Sequence, residues 1–525
     1  MTRKWWALGV ICAATFMLLL DVTIVAVALP EIQHSLGASF TALQWITDAY
    51  ALALAALLLT AGSIADRFGR KRVFLGGLVV FTLGSVLCGT AQSAGMLIAS
   101  RVLQGVGGAA LFATSLALLA ATFHGRERGI AFGVWGAVTG IATALGPVLG
   151  GVITTGIGWR GVFWVNLPIG IVAIVATLLR VDESRSPHAR RVDLAGMAVF
   201  TGALLALVYG LTEAGQRSWS SGIVVASLIT AAVLLAVFVL IESKVAEPMF
   251  DLSLLRVPTF VGGSIAAIAM NGTLFAMLIY LVLYLQDSQG YNALQTGLRL
   301  LIMSACSMVV ATVSGRMSER VPVRWLIGPG LFLVGIGLML MQGLHGASPW
   351  THLIPGLIVA GIGSGLVNPP LASTAVGVVD VHRAGMASGI NTTFRQVGIA
   401  VGIAVYGSIF SAHLTSGLRE RLGSASGIDL ARLAGAAHSG QAQALISRLP
   451  VARQEAVSAA VHGAFADAMN ALFLTSAIAA IIGAVAAAAL IRGKDFVAHT
   501  PPAPEPEAAK PESDPDSREP ALAAR

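Results

Sequence analysis

The chain has 525 residues, of which 56% are hydrophobic and 11% charged, with a mean hydropathy of +0.81. That balance excludes an ordinary soluble globular domain and implies a polytopic membrane protein. The formal net charge of +7 does not mark a nucleic-acid binder, because the basic residues fall in short segments between apolar runs.

Apolar runs long enough to cross a hydrocarbon core of about 30 Å recur fourteen times. They cover 5–29, 45–65, 73–91, 95–121, 129–153, 161–180, 194–212, 222–241, 260–284, 294–315, 324–343, 352–375, 386–412 and 467–491. Arg3 and Lys4 precede the first run, which has no small-residue cleavage site after it, so an uncleaved first span is expected. Basic residues gather in alternate loops: Arg67, Arg70, Lys71 and Arg72, then Arg126 and Arg128, then Arg180 to Arg191, and onward to Arg492 and Lys494. The opposite loops hold few, Arg160 and Arg217 being exceptions. The positive-inside rule then puts both termini in the cytoplasm of a bacterial-type cell membrane.

Span one carries Asp21, a carboxylate at a depth where insertion costs about 2.5–3.5 kcal/mol, which makes it the first candidate for a proton site. Between spans two and three lies Gly62-Ser63-Ile64-Ala65-Asp66-Arg67-Phe68-Gly69-Arg70-Lys71-Arg72. Its glycines permit tight turns, and Asp66 can answer the positive end of a neighbouring helix. Span four contains Arg101-Val102-Leu103-Gln104-Gly105-Val106-Gly107-Gly108-Ala109; a permanent guanidinium inside a span needs an acceptor or water, and Asp21 is the obvious partner. In span five, Gly140 and the run Gly146-Pro147-Val148-Leu149-Gly150-Gly151 combine a helix kink with close-packing glycines. Trp159, Arg160, Phe163, Asn166 and Pro168 open span six.

A faint repeat at an offset of about 253 residues sets Gly315-Arg316-Met317-Ser318-Glu319-Arg320 against the Gly62 segment. Spans one to five then correspond to nine to thirteen, and six to fourteen across an insertion. The expected organisation is a six-helix bundle over 1–180, two inserted helices within 181–258, a second bundle over 259–492 and a disordered cytoplasmic tail over 493–525. Such parallel repeats place a cavity between the halves near the midplane. Asn271, Asn368 and Arg395 are candidates to line it, with Gln104 from the first half. Asp287 and Arg299 flank a loop where an ion pair or headgroup contact is expected, and Asp48 and Glu213 are candidates to meet a cation on its exit. The segment 413–466, with charges around Arg419 and Arg453, is expected to form one or two amphipathic helices on the outer surface, covering the membrane or gating substrate.

The loop from Gly62 to Arg72 resembles the signature of the major facilitator superfamily, the Arg101 segment resembles its second motif, and the Gly146 segment resembles the motif of its antiporters. With Trp159-Arg160 and the Asn391-Thr392-Thr393-Phe394-Arg395-Gln396-Val397-Gly398 stretch, the chain resembles the fourteen-helix drug:proton antiporters of the EmrB/QacA type. Two departures are Ala26, where that family has Asn, and Gly161, where it has an aromatic residue. The resemblance implies an all-α major facilitator fold with fourteen transmembrane helices, two six-helix halves plus two inserted ones. It implies proton coupling through Asp21 and Arg101. It also implies a cytoplasmic latch of the outward-open state formed by Gly62, Asp66, Arg67, Gly69 and Arg70, and an antiporter motif of Gly140, Gly146, Pro147, Gly150 and Gly151.

Burial and a neighbouring guanidinium pull a carboxyl's proton affinity in opposite directions, so such a pair can be balanced to exchange protons. The expected activity is proton-driven export of lipophilic, cationic drugs or toxic compounds by alternating access. Export of an endogenous metabolite or lipid, or a non-transporting receptor on the same fold, are the alternatives. No Walker, HExxH, CxxC or GxSxG pattern occurs, so neither ATP use nor enzyme chemistry is expected. Cys12, Cys88 and Cys306 lack metal-ligand spacing. No metal, cofactor or nucleic acid is expected; the expected partners are a small lipophilic substrate, protons and membrane lipids, with a functional monomer.

Overall fold

A stretch of apolar residues in lipid must satisfy its backbone internally, and a helix is how a single segment does so. The computed structural model describes residues 3–496 apart from 124, 186–191, 216, 319, 380–383, 424–428 and 439–441, and it meets this demand with helices throughout. They are α1 (Arg3–Leu36), α2 (Phe40–Phe68), α3 (Arg70–Gly89), α4 (Ala94–Thr122), α5 (Gly125–Ile157), α6 (Gly161–Arg180), α7 (Leu194–Ala214), α8 (Gly222–Lys244), α9 (Pro258–Ser288), α10 (Ala293–Met317), α11 (Arg324–Leu340), α12 (Ile354–Gly377), α13 (Ala384–Leu422) and α14 (Val451–Leu490). Thirteen are long and apolar enough to span by composition, and α11, at 17 residues, is shorter. Polar residues mark several starts: Ser39, Ser93 and Ser221 accept from backbone N–H groups of the first turn, and Asn292 with Gln295 forms a capping box. The tail expected to be disordered lies almost wholly outside the described residues.

Two six-helix halves repeat one packing scheme. In the first, α4 packs on α2 and α3, α1 on α5 and α6, and α3 on α6. In the second, α12 packs on α10 and α11, α9 on α13 and α14, and α11 on α14. Helices eight apart in order take equivalent places, so the faint repeat read from two loops is a repeat of the whole bundle. The pair α7 and α8 pack on each other, with α7 also against α2 and α13.

The halves meet through α5 against α10 and α2 against α13. Polar contacts between them gather toward the face opposite the basic loops. Gln286 Nε2 donates to the Val27 carbonyl at 2.9 Å, the Leu294 N–H to Thr155 Oγ1 at 3.2 Å and Gln44 Nε2 to the Ile403 carbonyl at 3.1 Å. His34 stands 3.6 Å from Asp287 there. Toward the basic face, no heavy atom lies within 4 Å of where a Cβ on Gly133, Gly136 or Gly140 of α5 would stand.

The segment 413–466 holds two short helices, Leu430–His438 and Ala442–Ile446, where one or two amphipathic helices are expected. Much of it is not separate surface helices but the last turns of α13 and the first turns of α14, which reach 39 and 40 residues. At 1.5 Å per residue each is about 60 Å long, twice the hydrocarbon thickness. Between them the first of the two short helices buries Leu433, Ala434 and Ala437 in the core shared with both halves.

Candidate functional site

Asp21 and Arg101 meet inside the first half, at 0% and 1% exposure. Helix α1 supplies the carboxylate and α4 the guanidinium, whose Nη1 donates to Asp21 Oδ2 at 2.5 Å and to Gln104 Oε1 at 2.6 Å. Gln104, one helical turn from Arg101, turns its amide nitrogen to Asp21 Oδ1 at 2.8 Å and to Ser85 Oγ at 2.8 Å. Asn166 of α6 donates to the same two acceptors, at 3.0 and 3.2 Å. Arg101 Nε reaches the Ile46 carbonyl at 3.2 Å, and its guanidinium lies over the Tyr50 ring, 4.2 Å from the centroid. Five helices thus converge on one carboxylate, whose two oxygens accept three hydrogen bonds. A buried ion pair is tolerable only when its remaining polar atoms are met this fully.

The glycine run of α5 ties this centre to the other half. Thr23 of α1, two residues past Asp21, faces Gly146, and a Cβ at Gly150 would stand 3.0 Å from the Ile24 carbonyl. On the other side of α5, a Cβ at Gly151 would stand 2.5 Å from the Ala293 carbonyl of α10, while Gly297 of α10 packs on the Pro147 carbonyl. Gly146, Pro147, Gly150 and Gly151 therefore form a close seam of α5 with α1 and α10, in which Thr23 and Ile24 of α1 fill the space beside the glycines. Gly140 stands apart from it, in open space.

The loop at Gly62–Arg72 makes its described contacts within its own half. Asp66 accepts from Arg70 at 2.9 and 2.8 Å, and Arg70 Nη1 also donates to the Ala117 carbonyl of α4 at 3.4 Å. Gly69 adopts φ +116°, which favours glycine, and a Cβ there would stand 2.7 Å from the Glu183 carboxyl. That carboxylate follows α6 and accepts from the Lys71 backbone N–H at 3.0 Å. Arg67 is exposed beside the Phe68 ring, and Gly62 has open space beside it.

In the second half, Arg395 and Asn368 come together. Arg395 donates from Nε to Asn391 Oδ1 at 3.2 Å and from Nη1 to Asn368 Oδ1 at 3.3 Å. Asn368 in turn donates to the Ser364 carbonyl, and Ser364 to Ser307 of α10. Asn271 does not join them through a described contact: it is buried, and donates to Ala267 of its own helix where α9 widens into a π turn at Asn271–Phe275. Asp287 faces His34, while Arg299 stacks on Tyr291 and Trp350. Glu213 pairs with Arg217 at 2.6 Å. Asp48 is fully buried, with neither oxygen partnered among the described residues, so in this conformation it cannot meet a cargo at an open face.

The family model of the Major Facilitator Superfamily matches residues 11–403. The chain belongs to that superfamily. This facilitator is 39% identical over 409 residues to the multidrug resistance protein Stp of Mycobacterium tuberculosis, covering 78% of this chain and 76% of the relative. It is 37% identical to the puromycin resistance protein pur8 of Streptomyces alboniger, covering 78% and 82%, and 32% identical to the tetracenomycin C resistance and export protein of Streptomyces glaucescens, covering 92% and 91%. Its fold is similar to that of a bacterial homologue of the human lysosomal transporter Spinster in an inward-facing, occupied conformation, with TM-score 0.67 at 16% identity over 94% of this chain and 98% of that one.

Sequence reasoning missed three parts of the facilitator's buried centre. Asn166 stands in the sequence only as one of the residues that open span six, and neither Ser85 nor Tyr50 is singled out there; an amide and a phenol within spans are the available signals. At Gly161, which departs from the family pattern, a Cβ would stand 2.6 Å from the exposed Ile157 side chain, which would have to turn aside for a larger residue.

Proposed function

We propose that this facilitator is a proton-coupled antiporter exporting lipophilic small molecules, with its basic face in the cytoplasm. The observation that carries the reading is the Asp21 centre: a carboxylate inside the bundle, held by one guanidinium and two amides. Protonating Asp21 removes the charge that Arg101 answers, while Arg101 keeps the Gln104 amide oxygen and the Ile46 carbonyl. Such a change would alter α1 next to Thr23 and Ile24, the surface on which Gly146 and Gly150 pack, and so bias how α5 sits against α10. Competition between proton and cargo for that bias couples inward proton flow to export. With a neutral cargo, each proton crossing gains about 2.3 kcal/mol per 100 mV, and at 1.4 kcal/mol per factor of ten this sustains roughly a fiftyfold gradient; exchange against a monocation moves no net charge and is driven by the pH gradient alone. In the outward-open state the loop of Gly62, Asp66, Arg67, Gly69 and Arg70 would exchange its contacts within the first half for contacts with the second.

A cationic cargo is the expectation from Asp21. Export of a self-made compound is the second reading, favoured by relatives named as a probable actinorhodin transporter and a tetracenomycin C export protein. The test is efflux from proteoliposomes under an imposed pH gradient, run over lipophilic dyes and biocides. Native protein is expected to export against a gradient only when the pH gradient is present, and Asp21→Asn to lose that drive. Gradient-driven efflux by Asp21→Asn equal to native would overturn the assignment.

A further inference from the structure

Arg395 is a permanent charge at mid-span with no carboxylate beside it among the described residues. Its two described hydrogen bonds go to the amide oxygens of Asn391 and Asn368, both longer than 3.1 Å. Guanidinium has five N–H donors arranged to match an oxyanion, so most of that capacity is unspent. No ion pair to Arg395 exists among the described residues, and from 259 to 490 the sequence places no Asp or Glu in the apolar middle of a span. The residue is only partly buried, as is Asn368 beside it, so the charge keeps some accessible surface where α12 and α13 meet.

The first half does not cancel this charge. Asp21 is already matched by Arg101. Asp48, sealed and without a described donor, is in an environment where an ionised carboxylate is costly. An uncompensated cation within the membrane depth is a functional-site hypothesis whose partner must be named.

We infer that Arg395, with Asn368 and Asn391 as flanking amides, is a cargo-binding site that takes an acidic oxygen group, a carboxylate or an ionised phenol, on an otherwise lipophilic molecule. The inference rests on the transport reading for its purpose, though not for its measurement, and it departs from the expectation of a cationic cargo. An acid group fills the unspent donors, and the Asn side chains can turn their own N–H groups toward it.

The test is equilibrium binding to the full chain in detergent, by fluorescence polarisation. At a mildly acidic pH, where the carboxyl of fluorescein is ionised and its phenol is protonated, fluorescein serves as the carboxylate probe, with its methyl ester, neutral at that pH, and a cationic rhodamine ester on the same ring system for comparison. Native protein is expected to bind fluorescein at least tenfold more tightly than the methyl ester, a comparison that needs no variant. Arg395→Gln is expected to shift the ratio of fluorescein to rhodamine-ester affinity at least tenfold toward the cation, and Arg395→Lys to restore part of it. Equal binding of acid and ester by native protein, or an equal loss of both dyes in Arg395→Gln, would overturn the site and leave Arg395 a packing residue. A protein that binds fluorescein as expected but shows no pH-driven flux would instead defeat the antiporter reading alone.

Discussion

At the scale of single residues, the buried pair of Asp21 and Arg101 sets the energetics. Taking one partner from such a pair strands the other charge, which costs about 3–5 kcal/mol. Arg101→Ala is therefore expected to lower stability by that amount in denaturant unfolding, and the double variant Asp21→Asn with Arg101→Met to recover most of it; additivity of the two single losses would refute the pairing. Tyr50 contributes its ring to Arg101, while its hydroxyl is buried without a described partner. Tyr50→Phe should accordingly be near neutral, and Tyr50→Leu should cost about 1–2 kcal/mol beyond its packing loss. If both variants behave alike, the contact over the ring contributes nothing. The sequence made Asp21 and Arg101 conspicuous because charges at mid-span are rare. It hid Ser85, Asn166 and Tyr50, because uncharged polar residues are common in spans and only their convergence marks them.

Among elements, the glycines of α5 differ from one another in a way their shared motif conceals. A Cβ at Gly146 would land on the Thr23 side chain and one at Gly151 on the backbone of α10. Overpacking of this kind costs about 1–3 kcal/mol. Gly146→Ala and Gly151→Ala are expected to lower the thermal midpoint and slow efflux together. Gly140→Ala fills open space, and by helix propensity should stabilise by up to about 1 kcal/mol. Differential scanning of the three variants separates these outcomes, and a destabilised Gly140→Ala would contradict the geometry. Helix existence was legible throughout, since apolar length alone dictates it. Helix ends were not: α13 and α14 run far past their apolar stretches, because neighbouring protein rather than lipid covers the added turns, as at Leu414, Leu418 and Val457.

For the whole molecule, the halves are joined on the face that carries His34, Gln286 and Leu294, with open space along α5 toward the basic face. A cysteine placed at Gly136, with Cys12, Cys88 and Cys306 replaced, should react with a bulky aqueous maleimide added from the basic side. One placed at Gly151 should be protected until the halves rock. Equal labelling at both positions would mean that this closed face is not the resting one.

The sequence by itself determined that the chain crosses a membrane many times, that it is built from two related bundles with a helical pair between them, and that Asp21 and Arg101 are charges set inside apolar spans. These follow from local quantities: apolar length, the rarity of charge in lipid and the register of short motifs. Only the tertiary structure decided that Asp21 is enclosed by five helices, that Gly146, Gly150 and Gly151 of α5 form a seam with α1 and α10, and that Arg395 has amides but, among the described residues, no acid beside it. Those are facts of convergence, fixed by which helices pack together over hundreds of residues of separation, and no local pattern carries them.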